Sequence, residues 1–196
     1  MSRSTLLRKS HEIQSLIKAR PDQLLPRYEE NPELLSQVFL SLTNLAVLPD
    51  WHHHFHPLLP SLLHLISLTT DSDRAKESVK FQCLRLLINL ACNEDNIPQL
   101  LASKCPPDIV NLVCRSKPED QLLRGVTLLA NIYMAAQRQE LHLQEHEAHS
   151  LQRLMFGEDS QQILREVSWI TENTTNMDIK SQARKIRTCL EGIPTD

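Results

Sequence analysis

Phe39-Leu40-Ser41-Leu42-Thr43-Asn44-Leu45, Leu84-Arg85-Leu86-Leu87-Ile88-Asn89-Leu90 and Val126-Thr127-Leu128-Leu129-Ala130-Asn131-Ile132 are three apolar helical stretches that each carry an asparagine in the same register. The asparagines lie 45 and then 42 residues apart. Helical units recurring every ~40 to 47 residues are the mark of HEAT and armadillo arrays. A single unit there cannot bury its own apolar face and stacks on the next to do so. The expected fold is all-α: a right-handed α-solenoid of armadillo-like repeats, about three full repeats plus terminal caps. A binding surface is therefore expected before any active site.

Composition excludes several classes of function. The 196 residues are 41% hydrophobic and 23% charged, enough for one domain with a core and solvated outer faces. Only three glycines occur, Gly125, Gly157 and Gly192, so no glycine-rich loop can cradle a phosphate and no G-x-S-x-G elbow can be drawn. Lys and Arg number 21 against 24 Asp and Glu, with 4% aromatic residues, which disfavours the basic field and stacking platforms of nucleic-acid binding. No apolar run approaches the ~20 residues of a membrane span. Nor does Met1 to Lys18 have the apolar centre of a signal peptide. The cysteines Cys83, Cys92, Cys105, Cys114 and Cys189 lack C-x-x-C spacing and read as reduced thiols. The sequon at Asn173-Thr174-Thr175 is idle without export. No cofactor is expected.

Along the chain, Leu6, Ile13, Leu16 and Ile17 share one face of Thr5 to Ala19, an amphipathic capping helix that Pro21 follows. Asn31 offers an N-cap with Pro32 at the first helical position, opening a long helix that stops near Pro49. Asp50 to His56 predicts a short helical turn and Leu58 to Leu68 a further helix. The second long helix runs from about Asp73 to Ala91. The pattern returns with Pro98 to Ser103, Asp108 to Cys114, and a third long helix reaching roughly Gln137. Ser116-Lys117-Pro118-Glu119 has the form of a capping box at its start. Ser160 to Ile170 and Met177 to Leu190 complete the array, Lys180, Arg184, Lys185 and Arg187 forming a charged terminal face. The expected division is 1–30 for the cap and a connector, 31–192 for the repeat domain and 193–196 for a tail.

Leu87-Ile88-Asn89-Leu90-Ala91, then Leu100-Leu101, then Gln121 through Ile132, and Leu154-Met155-Phe156-Gly157-Glu158-Asp159-Ser160 resemble the armadillo-like domain of the armadillo-repeat X-linked (Alex) proteins and their autosomal relatives. The G-protein-coupled-receptor-associated sorting proteins share that domain. The resemblance spans roughly Pro32 to Leu190. It implies a non-enzymatic adaptor, with family members at the mitochondrial outer membrane acting on mitochondrial transport through Miro and TRAK partners. Those membrane members carry an N-terminal apolar anchor, whereas this chain opens on a cap. A cytoplasmic location is thus expected, with recruitment to mitochondria through a partner or a longer isoform.

Two constellations carry candidate chemistry. Residues seven and four before each asparagine share its helical face, giving Gln37, Leu40 and Asn44, then Gln82, Arg85 and Asn89, then Arg124, Thr127 and Asn131. Primary amides both donate and accept, so a ladder of them can pair with the backbone of an extended peptide; helix capping or plain solvation is the alternative. The second is Trp51-His52-His53-His54-Phe55-His56. Trp51 and Phe55, four apart, pack on the core in one reading and contact a protein partner, such as a helical segment, in the other. The histidines invite a metal, but neighbours on a short helix point apart. His142, His146 and His149 share a face, with His146-Glu147-Ala148-His149 one residue short of the H-E-x-x-H spacing, so a solvated linker is preferred. The functional alternatives are an adaptor, a soluble regulatory form competing with anchored relatives, and a metal-dependent enzyme on the histidine clusters.

Overall fold

A computed structural model describes residues 21–68, 73–107, 109, 118–141, 149–157 and 160–192. The described residues are helical, with no strand among them apart from an isolated antiparallel bridge between Lys104 and Ser150. In chain order the helices are α1 (Pro21–Glu30), α2 (Pro32–Leu45), α3 (His52–Phe55), α4 (Leu59–Ser67), α5 (Arg74–Ala91), α6 (Ile97–Ala102), α7 (Glu119–Arg138), α8 (Leu151–Phe156), α9 (Ser160–Asn173) and α10 (Met177–Glu191). Short 3₁₀ turns occupy Pro49–Trp51, His56–Leu58 and Glu94–Asn96.

Side-chain caps fix four of the starts. The Asn31 side chain accepts from the Leu34 amide at 3.2 Å and Pro32 stands at the first helical position, as the sequence predicts for α2. Asp73 caps α5 by accepting from Ala75 and Lys76, Ser150 caps α8 through Arg153, and Asn176 caps α10 through Asp178 and Ile179. Helix α7 opens differently. Pro118 is its N-cap without a side-chain bond, and Glu119 and Asp120 in the first turn complement the helix dipole instead. Of the anticipated capping box, Ser116 and Lys117 lie outside the described residues.

One difference from the sequence reading stands out. Pro21–Glu30, expected as a connector, is a helix packed on α4 and α2, with Leu24 and Tyr28 buried and Pro26 inside. Pro26 is the sixth residue of this helix and forgoes the bond an N–H there would make to the Asp22 carbonyl, a cost that burial of Leu24 and Tyr28 offsets. The helices expected over Ser160 to Ile170 and Met177 to Leu190 are present, each slightly longer, as α9 and α10. The predicted helix over 5–19 lies outside the described residues, and of the one over 108–114 only Ile109 is described, helical and buried.

The long helices form a series: α2 packs on α5, α5 on α7 and α7 on α10, while α4 backs α5 and α9 backs α10. The core runs continuously through them. Leu84, Leu86, Leu87 and Leu90 of α5 are buried, and so are Val126, Leu128, Leu129 and Ile132, which follow at the same 42-residue step. Side-chain bonds between units obey the same period. Ser36 to Ser78, Asn89 to the Thr43 carbonyl, His56 to Asn96, Asn131 to Cys92 and the ion pairs Lys76–Glu29 and Arg138–Glu94 all join residues 39 to 47 apart. One unit thus binds the next through both apolar contact and paired polar groups, as a stacked repeat requires.

Candidate functional site

The nine stripe residues occupy the series of long helices, and none is buried. Gln37, Leu40 and Asn44 are exposed on α2; Gln82, Arg85 and Asn89 are half-buried on α5; Arg124, Thr127 and Asn131 are half-buried on α7. Helical periodicity explains this placement. Leu84, Leu87 and Leu90 on α5 turn into the core, which leaves positions 82, 85 and 89 on the opposite flank.

Their hydrogen-bonding capacity is unevenly used. Asn89 Nδ2 donates to the Thr43 carbonyl at 3.0 Å, so this amide links α5 to α2, and its Oδ1 carries no bond to a described residue. Asn131 Nδ2 makes a weaker 3.6 Å contact with Cys92 Sγ. Thr127 Oγ1 turns back to the Leu123 carbonyl at 2.7 Å, a common habit of threonine inside a helix. Asn44 is exposed, and its side chain bonds to no described residue. Arg85 Nη1 donates to Gln82 Oε1 at 3.2 Å, and Arg124 Nη1 donates to the Asp120 carbonyl at 2.9 Å. The Arg124 guanidinium also lies over the Phe81 ring, 4.0 Å from its centroid, bridging α7 to α5. Phe81 was not among the sequence candidates. Its signal was its place one residue before Gln82, which the 42-residue step pairs with Arg124.

A model of the armadillo-like family matches residues 32–156, most of the chain. The chain belongs to the armadillo-like family. This armadillo-like match covers all three asparagine-bearing helices, and the family generally mediates protein–protein interaction. No curated protein matches the armadillo-like chain.

The tryptophan–histidine segment of this armadillo-like domain divides between core and surface. Phe55 is fully buried, whereas Trp51 is 40% exposed beside His54, with ring centroids 5.4 Å apart. Core packing thus claims one aromatic of the pair and the surface keeps the other. His52 is buried, its Nε2 2.8 Å from the Ala46 carbonyl. A carbonyl only accepts, so Nε2 carries the proton and Nδ1 accepts from Asn96 Nδ2 at 2.7 Å. Asn96 spends its second N–H on the Leu90 carbonyl at 2.8 Å, and its Oδ1 accepts from His56 Nε2 at 3.0 Å. This closed network ties α3 to the turn after α5, and its signal was the i, i+4 spacing of His52 and His56.

Among the described residues no group of three His, Cys, Asp or Glu side chains converges as a metal ligand set. His142 and His146 lie outside them, and His149 is exposed with φ 63°. Cys83 and Cys189 are buried, Cys105 is half-buried and Cys92 is exposed, all as free thiols. Burial pushes the Cys83 and Cys105 thiols up, the latter to about 12, and raises that of Cys189 against the opposing pull of Arg138. Their nucleophilic thiolate form is suppressed. No helix among the described residues is long and apolar enough to cross a membrane.

Proposed function

We propose that this chain is a non-enzymatic adaptor whose repeat domain, 31–192, is a right-handed solenoid of about three full armadillo-like repeats with terminal caps, and that its polar stripe binds an extended peptide of a protein partner. The carrying observation is the alternation on the long helices: each unit buries one apolar face, while Gln37, Asn44, Gln82, Arg85, Asn89, Arg124, Thr127 and Asn131 stay accessible with Leu40 among them. An amide ladder of this kind recognises backbone whatever the peptide's side chains, each bond contributing ~0.5 to 1.5 kcal/mol net. It sets the partner's register, and Trp51 supplies apolar contact beside it.

The resemblance to Alex proteins and the receptor-associated sorting proteins supports a cytoplasmic adaptor that partners of the Miro or TRAK kind recruit to the mitochondrial outer membrane. Proximity labelling in intact cells tests both parts. The Asn44→Ala, Asn131→Ala double variant keeps the Asn89 link to Thr43, so it should fold and lose most of the wild-type neighbours. An unchanged set of neighbours would rule out the stripe as the binding face, and absence of mitochondrial surface proteins from the wild-type set would remove the placement.

A further inference from the structure

Three cations on the described long helices stand in ion pairs. Lys76 pairs with Glu29, Arg138 with Glu94 and Arg187 with Glu191. Arg85 and Arg124, on the adjacent helices α5 and α7, form no ion pair with any described carboxylate. Arg124 is nevertheless held in place: the Phe81 ring supports its flat face and the Asp120 carbonyl takes one Nη1 hydrogen. Its Nε and Nη2 have no hydrogen-bond partner among the described residues. A guanidinium already stacked and tethered has lost much of the side-chain freedom that binding would otherwise cost. What it presents is the planar N–H fork that fits a carboxylate. Arg85 stands on the same face of α5, and Gln82, which accepts its hydrogen bond, occupies the 42-residue register position of Arg124.

We infer that Arg124, seated on Phe81, selects an aspartate or glutamate side chain of the bound peptide, with Arg85 adding a second positive charge along the stripe, so that the partner segment is acidic. This rests on the stripe being the peptide-binding face. A nucleic-acid backbone fits poorly, because two such cations in a chain of net charge −3 do not make the broad basic field it needs.

The test uses the full chain and an array of synthetic extended decapeptides with glutamate at alternate positions, beside matched glutamine and phosphoserine series. Expected is retention of the glutamate series at least about tenfold above the glutamine series, weakening as salt rises from about 50 to about 300 mM. Arg124→Met should abolish that preference. Arg124→Lys should retain part of it, since an ammonium keeps the charge without the fork, and Phe81→Leu should reduce it several-fold. Thermal melts of each variant confirm that folding is intact.

Equal capture of glutamate and glutamine peptides by the wild type, or a glutamate preference kept by folded Arg124→Met, overturns the inference. Capture restricted to phosphoserine peptides does the same. Failure here is separable from failure of the stripe reading. The Asn44→Ala, Asn131→Ala variant should weaken capture of glutamate and glutamine peptides alike, so loss of acid selectivity with that effect intact condemns Arg124's role alone.

Discussion

Asn96 illustrates how one buried side chain can hold two units together. It donates to Leu90 and His52 and accepts from His56, so truncation strips His56 Nε2 of its acceptor and leaves the Leu90 carbonyl and His52 Nδ1 only the longer bonds from Asn93, at 3.2 and 3.3 Å. Asn96→Ala should therefore destabilise the protein by about 2 to 3 kcal/mol in urea unfolding. Nitrogen-15 NMR should find His52 as the Nε2–H tautomer. The cysteines offer a second measurement at this scale. With iodoacetamide near neutral pH, Cys92 should be alkylated first among the four described cysteines by mass spectrometry, with half-buried Cys105 slower and Cys83 reacting only as the chain unfolds, because burial shelters these thiols and raises them. The stripe asparagines and arginines were readable from spacing alone. Asn96 and Phe81 were not, because their importance lies in partners about one repeat away.

At the scale of elements, capping residues explain why so many boundaries were legible. Asn31, Asp73 and Asn176 act within three residues of themselves, and such local chemistry is written directly in the sequence. Helix α1 was missed because Pro21 and Pro26 argue against a helix locally, whereas burial of Leu24 and Tyr28 against α4 and α2 supports one. Gly157 ends α8 under a tight constraint, since a Cβ there would lie 2.4 Å from the Arg153 carbonyl oxygen. Beside it Tyr133 donates to the Met155 carbonyl at 2.7 Å and packs edge-on to Phe156, tying α8 to α7. Gly157→Ala should force the α8 end to shift and cost about 1 to 3 kcal/mol, read as a lower unfolding midpoint with the α8 amides exchanging faster.

Over the whole molecule, stability should depend on position in the series. Leu87 is buried in α5, which touches α2 on one side and α7 on the other; Ile186 is buried in α10, the last helix described. Leu87→Ala should cost about 2 to 5 kcal/mol and destabilise the stack on both sides. Ile186→Ala should instead release α9 and α10 first. Hydrogen exchange resolved by segment separates the two, and uniform loss of protection in both variants would contradict a nearest-neighbour stack. Period, helix class and the face carrying the asparagines came from the sequence alone, because apolar spacing and end caps are properties of neighbouring residues. Tertiary structure decided that Asn89 is tied to Thr43, that Phe55 is core while Trp51 is surface, and that Arg124 rests on Phe81 with its Nε and Nη2 donors unspent among the described residues. Each of those outcomes depends on a group 39 or more residues away or on the summed packing of several helices, which no local pattern encodes.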